Sequence, residues 1–396
     1  MRFILIFLPF LLHAQVPGCT DPQAMNYDVQ ATVNDGSCLY ANTNLTANLI
    51  GDLPPELPEA SGVLFLNGKL WSHNDSGSDA KIIAFDPQTG SIEKEIYVGA
   101  SQVDWEALTY DNSYFYIGEF GNNTGSRTDL MIIRFAETEL TSNFYDTIQQ
   151  ADTISFSYPD QIDFSPSSTH DFDCEAFVIY QDSCHLFSKN RSSSFVKHYA
   201  FPAMPGTYVA DLVDSISVSG QVTSAAMDSN GTLMLIGYIP PLYNSFAMLL
   251  WDYGTQGYFS GNKRMFEMGN VLVMGQQEGV CFDGPGHGYI VSEAVSTLGQ
   301  DARYFEFDVT SFLELDAGIE PHIQNNMLAY PNPFTDQLIV EAVPWSNPPQ
   351  IFGPDGRMIK VRTALIDAQW QLDVSECLSG FYLFHYNGQI QIVFKQ

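Results

Sequence analysis

One short unit recurs along the middle of the chain, and its recurrence limits the fold more than any other feature. Residues 104–123, DWEALTYDNSYFYIGEFGNN, run glutamate, apolar stretch, turn, second apolar stretch, polar cluster. The same order returns in ASGVLFLNGKLWSHNDSG from Ala60, DCEAFVIYQDSCHLFSKNR from Asp173, VTSAAMDSNGTLMLIGY from Val222 and QEGVCFDGPGHGYIVSE from Gln277. β-Branched and aromatic runs around a Gly, Asn or Asp turn make each copy a β-hairpin. Repeated small sheets around an axis form a propeller, in which the innermost strands line a central channel. Residues 46–316 shared among five units leave about 54 residues apiece, enough for four strands of about five or six residues with turns. The expected fold is therefore all-β, a five-bladed β-propeller. A six-bladed alternative needs a hidden unit between Glu106 and Glu175, where Ser126 to Asp171 reads instead as outer strands, LMIIRF and TISFSY, with a polar excursion.

Every copy opens on a hydroxyl or a carboxylate: Ser61, Glu106, Glu175, Thr223 or Ser224, and Glu278. On innermost strands these residues converge. At an effective dielectric of 20 and ~5 Å, two carboxylates repel by on the order of 3 kcal/mol, so protons are retained or a cation sits between them. Oxygen donors with no His or Cys in register favour Ca²⁺ over zinc.

These residues carry a family resemblance. The order Ser61, Glu106, Glu175, Ser224 (or Thr223) and Glu278, with NGKLW at 67–71, Gly118, Gly121 and EGV at 278–280, resembles the calcium-activated apyrases. The resemblance implies a five-bladed propeller with one axial Ca²⁺ held by serines and glutamates. It covers about 270 residues in thin patches. At the polar clusters the sequence departs from that family: Asn74 replaces one member of an acidic pair and leaves Asp75, Ser76 stands where an Arg follows, and EFGNN replaces a Lys-Glu pair.

Hairpin strands are antiparallel, so the end of each second strand returns to the face where the first begins. The clusters at Asn74 and Asp75, at Glu119, Asn122 and Asn123, at Lys189, Asn190 and Arg191, and at Tyr238 and Glu293 should ring the ligand glutamates, with Arg127 close by. A carboxylate there, Asp75 or Glu119, is placed to take a proton from water. Arg127, Lys189 and Arg191 are placed to hold developing negative charge. Two functions follow: a binding or adhesion module with structural calcium that takes a polar or anionic ligand at its mouth, and a calcium-dependent hydrolase of phosphate anhydrides or esters. No G-x-S-x-G, H-E-x-x-H or phosphate-binding glycine loop is present.

The ends of the chain speak for export. Residues 1–15 combine Arg2, the apolar run FILIFLPFLL and Ala14, the pattern of a signal peptide; no later stretch reaches the ~18 apolar residues of a membrane span. With 46 acidic against 16 basic side chains, a net charge of −30 opposes nucleic acid and anionic lipid as partners. Residues 16–41 form a Cys-flanked module resembling short repeats of Bacteroidota surface proteins, and an exported compartment permits a Cys19–Cys38 disulfide that stabilises by roughly 3 kcal/mol in the chain-entropy model. Cys174, Cys184, Cys281 and Cys377 have no evident partner. After a polar linker at 317–328, residues 329–396 read as a small β-sandwich with Pro-Asn and Asp-Gly turns. Tyr330, Pro331, Asn332, Pro333, Gly356, Arg357, Gly380, Tyr382 and Lys395 give it a resemblance to the C-terminal sorting domain of type IX secretion cargo. That resemblance implies the type IX machinery as partner, a surface or extracellular location, and removal of the domain after transit.

Overall fold

The protein is described by a computed structural model covering residues 15–241, 243–254, 257–313, 329–341, 348–353, 357–366, 369–386 and 389–396. The signal peptide (but for residue 15), the linker at 317–328 and Gly356 lie outside the described residues. The chain divides into two compact units, Met1–Asp316 and Ala317–Gln396.

The described residues of the first unit build five larger sheets, and each grows outward from one of the recurring hairpins. Their first strands are Ala60–Leu66, Trp105–Tyr110, Asp173–Tyr180, Gln221–Met227 and Gln276–Gly284. In each sheet the second strand pairs antiparallel with the first, and the third with the second. The first strands pack against one another in chain order, and the fifth packs back on the first. Close approach there requires glycine. A Cβ on Gly62, whose φ is +82°, would lie 2.7 Å from the Leu108 nitrogen, and one on Gly279 would lie 2.9 Å from the Gly62 carbonyl carbon. Apolar clusters fill the spaces between successive sheets, such as Leu64, Trp71, Ile117 and Phe135 between the first and second.

The fifth sheet is completed by Asn48–Asp52, which precedes the first sheet in the chain and pairs antiparallel with Arg303–Asp308. One end of the unit thus fastens the other. From Ser126 to Asp171 the chain adds Met131–Ala136 and Asp152–Ser157 to the second sheet, whose edge strand Gly206–Val209 comes later, and lends Tyr145–Ile148 to the edge of the first. The Cys-flanked module is closed by a Cys19–Cys38 disulfide. It rests on the fourth sheet, where Asn34 donates to Asn262 (2.9 Å) and Arg264 donates to Gln23 (2.9 Å). Cys174, Cys184 and Cys281 are buried free thiols, with Cys184 paired in register opposite Ile179.

The described residues of the second unit build a three-stranded and a four-stranded antiparallel sheet that share one core, with Leu338 and Leu372 from the first and Ile351, Phe384 and Val393 from the second. The YPNPF segment is stitched to the final strand. Asn332 donates to the Ile392 carbonyl (3.0 Å) and accepts from the Phe394 N–H (2.9 Å), while Phe334 donates to the Phe394 carbonyl (2.8 Å). Lys395 reaches back to Asp336 at 3.5 Å and over the Phe334 ring.

Candidate functional site

Every first strand of the five sheets carries a register break at its opening residue. Pairing skips Ser61 and Gly62, then Glu106, Glu175, Thr223 and Glu278 in turn. A β-bulge adds one residue without a partner and turns its side chain out of the alternation. Four of these residues, Ser61, Glu106, Glu175 and Glu278, line one cavity of about 240 Å³, together with Asp75, Asn123, Lys189, Arg191, Tyr238, Gln276 and Glu293.

The fourth sheet differs from the expectation. Its bulge residue is Thr223, not Ser224, and neither lines the cavity. Thr223 donates to the Gln277 carbonyl (2.7 Å) much as Ser61 donates to the Glu106 carbonyl (2.9 Å). Ser224 faces the fifth sheet, where it accepts from the Val280 N–H (3.2 Å). A hydroxyl that donates to a carbonyl keeps its lone pairs for a ligand, and Ser61 does so inside the cavity.

The strand ends divide into those that face the cavity and those that serve the frame. Glu119 is fully buried and accepts from the Val103 N–H (2.8 Å), the Asp104 N–H (3.2 Å) and Arg127 (2.7 Å). Arg127 also donates to the Gly121 carbonyl (2.9 Å) and to Asp129 (3.0 Å). Neither lines the cavity; together they hold the loop at 101–104 in place, so their expected roles as base and as anion clamp have no support in the geometry. Asn74 is likewise occupied, donating to the Glu56 carbonyl (2.7 Å) and accepting from the Glu59 N–H (3.1 Å). Asp75, Lys189 and Arg191 do face the cavity.

Both cations are held by carboxylates. Lys189 is 4% exposed and forms an ion pair with Glu175 Oε1. Arg191 donates to Asp173 at 2.6 Å and lies 3.9 Å from Glu175 Oε1. Asp173 also accepts the Asn122 N–H at 2.8 Å, which ties the second sheet to the third. Against these two cations the cavity lining sets five carboxylates, Asp75, Glu106, Glu175, Glu278 and Glu293.

The excess of negative charge in a buried place shows in the titration of the cluster. Burial, and then the neighbouring carboxylates, hold the Glu106 carboxyl well above its usual range. Glu175 is raised well above it by burial, although Lys189 opposes the shift. Burial brings Glu278 and Glu293 to about 7. Asp104 also reaches about 7, from burial and then from the charge and hydrogen bond of Asp75. For Lys189, burial alone would favour the neutral amine, but Glu175 and Glu278 outweigh it and raise its pKa well above the ordinary value.

Two observations fit a cation. Glu175 Oε2 is buried and no N–H or O–H group donates to it, so it either keeps a proton shared with Glu278 or takes up an ion. Asp75, Asp104 and Glu106 also bring one oxygen each within 4.8 Å of one another. Gly121 makes room for them, since a Cβ there would stand 2.3 Å from Asp104 Oδ2 and 2.4 Å from Glu106 Oε1. The donors are carboxylates and a hydroxyl, which suit a hard divalent cation.

Asp104, Asp173 and Gln276 escaped the sequence reading, yet a signal for them exists. Each stands two residues before a bulge glutamate, and Glu59 and Gln221 stand two before Ser61 and Thr223. A polar residue at that offset in all five units marks a second tier of the same face.

Comparison with known proteins gives little for the first unit. No curated protein matches the sequence. Among solved structures, the chain is similar to regucalcin, a calcium-binding protein from Agrobacterium tumefaciens (12% identity, 67% of this chain and 95% of that one, TM-score 0.37). It is also similar to hydrazine synthase from Kuenenia stuttgartiensis (12%, 66% and 66%, 0.34) and to a gluconolactonase from Xanthomonas campestris (11%, 62% and 72%, 0.35). The second unit is different: residues 328–396 match the secretion system C-terminal sorting domain. The described residues contain no helix long and apolar enough to cross a membrane. The chain is therefore cargo of the type IX secretion system, carried to the cell surface or beyond it.

Proposed function

We propose that residues 46–316 form a five-bladed β-propeller that binds Ca²⁺ in its axial cavity and, outside the cell, engages a polar ligand through that ion. The Cys-flanked module at 16–41 precedes it, and after the linker at 317–328 the sorting domain, 329–396, is a two-layer sandwich. The five sheets and the cyclic packing of their first strands support the blade count. The observation that carries the metal reading is the cavity lining itself, five carboxylates against two cations, in which no N–H or O–H group donates to the buried Glu175 Oε2. Ser61, Glu106, Glu175 and Glu278 would hold the ion. Without it, retained protons, Lys189 and Arg191 compensate the carboxyls; with it, the ion's open positions can take hydroxyl, carbonyl or carboxylate oxygens. Metal analysis of the purified full chain, with melting curves in CaCl₂ and in chelator, tests this reading. Bound calcium and a higher Tm in CaCl₂ support it, and identical curves with no metal overturn it.

The calcium-dependent hydrolase is a second reading. Asp75 supports it, because its carboxyl faces the cavity and is hydrogen-bonded to Asp104, where it would serve as proton acceptor beside the ion. The binding module is preferred because Glu119 and Arg127 are consumed by the frame, and Lys189 and Arg191 by Glu175 and Asp173. No free set of cations remains among the described lining residues to hold a phosphate chain. Hydrolysis of nucleoside diphosphates or phosphate esters in CaCl₂, lost in Asp75→Asn, would reverse that preference.

A further inference from the structure

The Lys189 ammonium sits among the carboxylates that the calcium reading assigns to the ion. It bonds Glu175 Oε1, is drawn toward Glu278, and lies 5.5 Å from the centre of the Tyr238 ring. It enters from the end of the second strand of the third sheet, Ser183–Lys189, whose register sets Lys189 opposite Asp173. Its position is thus fixed by the same hairpin that supplies Glu175.

We propose that Lys189 is a resident counter-ion of the axial carboxylates, which holds them together without metal and competes with Ca²⁺ for Glu175. The inference rests on the calcium reading above and adds what sets the affinity of the site. An ammonium offers three donors from one point, whereas a calcium ion gathers six to eight oxygens. Lys189 therefore satisfies Glu175 Oε1 and leaves Oε2 to Glu278 or to an ion, with no donor from an N–H or O–H group. Glu106, Glu175 and Glu278 carry three negative charges when ionised, and Lys189 compensates one of them. A divalent ion compensates two, but it must approach a fixed positive charge on a shared ligand. Like charges a few ångströms apart at an effective dielectric of 20 repel by an amount worth more than one decade of affinity. The protein can consequently fold before it meets calcium, and it binds the ion weakly and reversibly. Tyr238 gives the ammonium a second resting place when Glu175 is taken, since an aromatic face attracts a cation.

The test uses the full chain and its Lys189→Met and Lys189→Arg variants. Isothermal titration with CaCl₂ and melting in chelator are measured for each. The expected result is a rise in Ca²⁺ affinity of about ten-fold or more in Lys189→Met, with a fall in the chelated Tm of about 10 °C from the unpaired Glu175. Lys189→Arg, which keeps the charge, should stay close to the wild type in both. Equal or weaker calcium binding by Lys189→Met overturns the proposal and makes the lysine a positioning group for Glu175. Should Lys189→Met prove too unstable in chelator to titrate, Lys189→Gln, which retains a donor for Glu175 without the charge, carries the same expectation. Calcium binding by the methionine variant alone supports Lys189 as the resident cation and overturns the calcium reading for the wild type. Absence of binding in every variant overturns both, whereas equal affinities overturn only the role of Lys189.

Discussion

Without metal, the stability of the first unit should fall as pH rises from about 6.5 to 8.5, and saturating calcium should flatten that slope. A carboxyl whose folded pKa lies above its unfolded value binds more protons in the native state, so its contribution is full below the unfolded pKa and is lost as pH rises through the folded one. Glu278 moves from 4.5 to about 7 through burial. Of its contribution, about 1 kcal/mol remains to be lost between pH 6.5 and 8. Glu293, also at about 7, adds in the same direction with a discount for its wetter position, and Glu106 and Glu175, raised further, add more. Histidines act in the opposite sense. His73 and His185 are lowered from 6.5 to about 4 by burial, so their contribution is complete only about one unit above 6.5 and is lost as pH falls through that value. Between pH 6.5 and 8 the two together regain about 0.8 kcal/mol, close to what Glu278 loses, so the net fall is carried by Glu293, Glu106 and Glu175. With roughly 2–4 °C of Tm per kcal/mol in a domain of this size, the chelated protein should lose several degrees across that interval. Scanning calorimetry in chelator and in CaCl₂ at four pH values measures both slopes. A chelated Tm that holds or rises would refute the reasoning, as would an equal fall in CaCl₂, where the bound ion should keep the carboxylates ionised throughout.

Three further outcomes are expected. Glu119→Gln removes the charge facing Arg127 and turns one of the two oxygens that accept from Arg127 and from the Val103 and Asp104 N–H groups into an NH2 donor; urea unfolding should show a loss of about 3 kcal/mol, where a purely chemical role would leave stability intact. Gly121→Ala drives a Cβ to 2.3 Å from Asp104 Oδ2 and 2.4 Å from Glu106 Oε1; calcium affinity measured by titration should drop about ten-fold or more, with a loss of about 1–3 kcal/mol in stability. Deleting residues 329–396 removes the sorting domain; cell fractionation should then find the shortened chain in the periplasm, and normal release would contradict the assignment.

The recurring hairpins were legible because their turns and apolar runs are local. Asn112, Gln181 with Asp182, and Gly231 sit at positive φ in the turns of the second, third and fourth units, as turn chemistry demands. Glu106, Glu175 and Glu278 could be read as converging because each opens a first strand. The identity of the fourth-sheet residue could not. Thr223 and Ser224 are adjacent, and a one-residue bulge decides which of them leaves the alternation. Glu119 fell outside the cavity for a related reason. As the residue of its strand opposite the bulge at Glu106, it turns toward Val103 and Arg127 in place of the axis, and no periodicity in the sequence records that turn.

The tail and the cavity bear on one another through calcium. A cluster of carboxylates that required metal to fold would couple export to the ion content of each compartment crossed, because binding free energy becomes folding free energy. Lys189, already bonded to Glu175, relaxes that requirement: under the calcium reading the cavity is held by an ammonium during transit and takes up the ion where calcium is plentiful. Weak extracellular calcium modules work at roughly 10⁻⁴ to 10⁻³ M, and a competing lysine moves the site toward such weak binding. The sorting domain matched at residues 328–396 delivers the chain to such a medium, so a low affinity suits the destination and a tight site would gain nothing there.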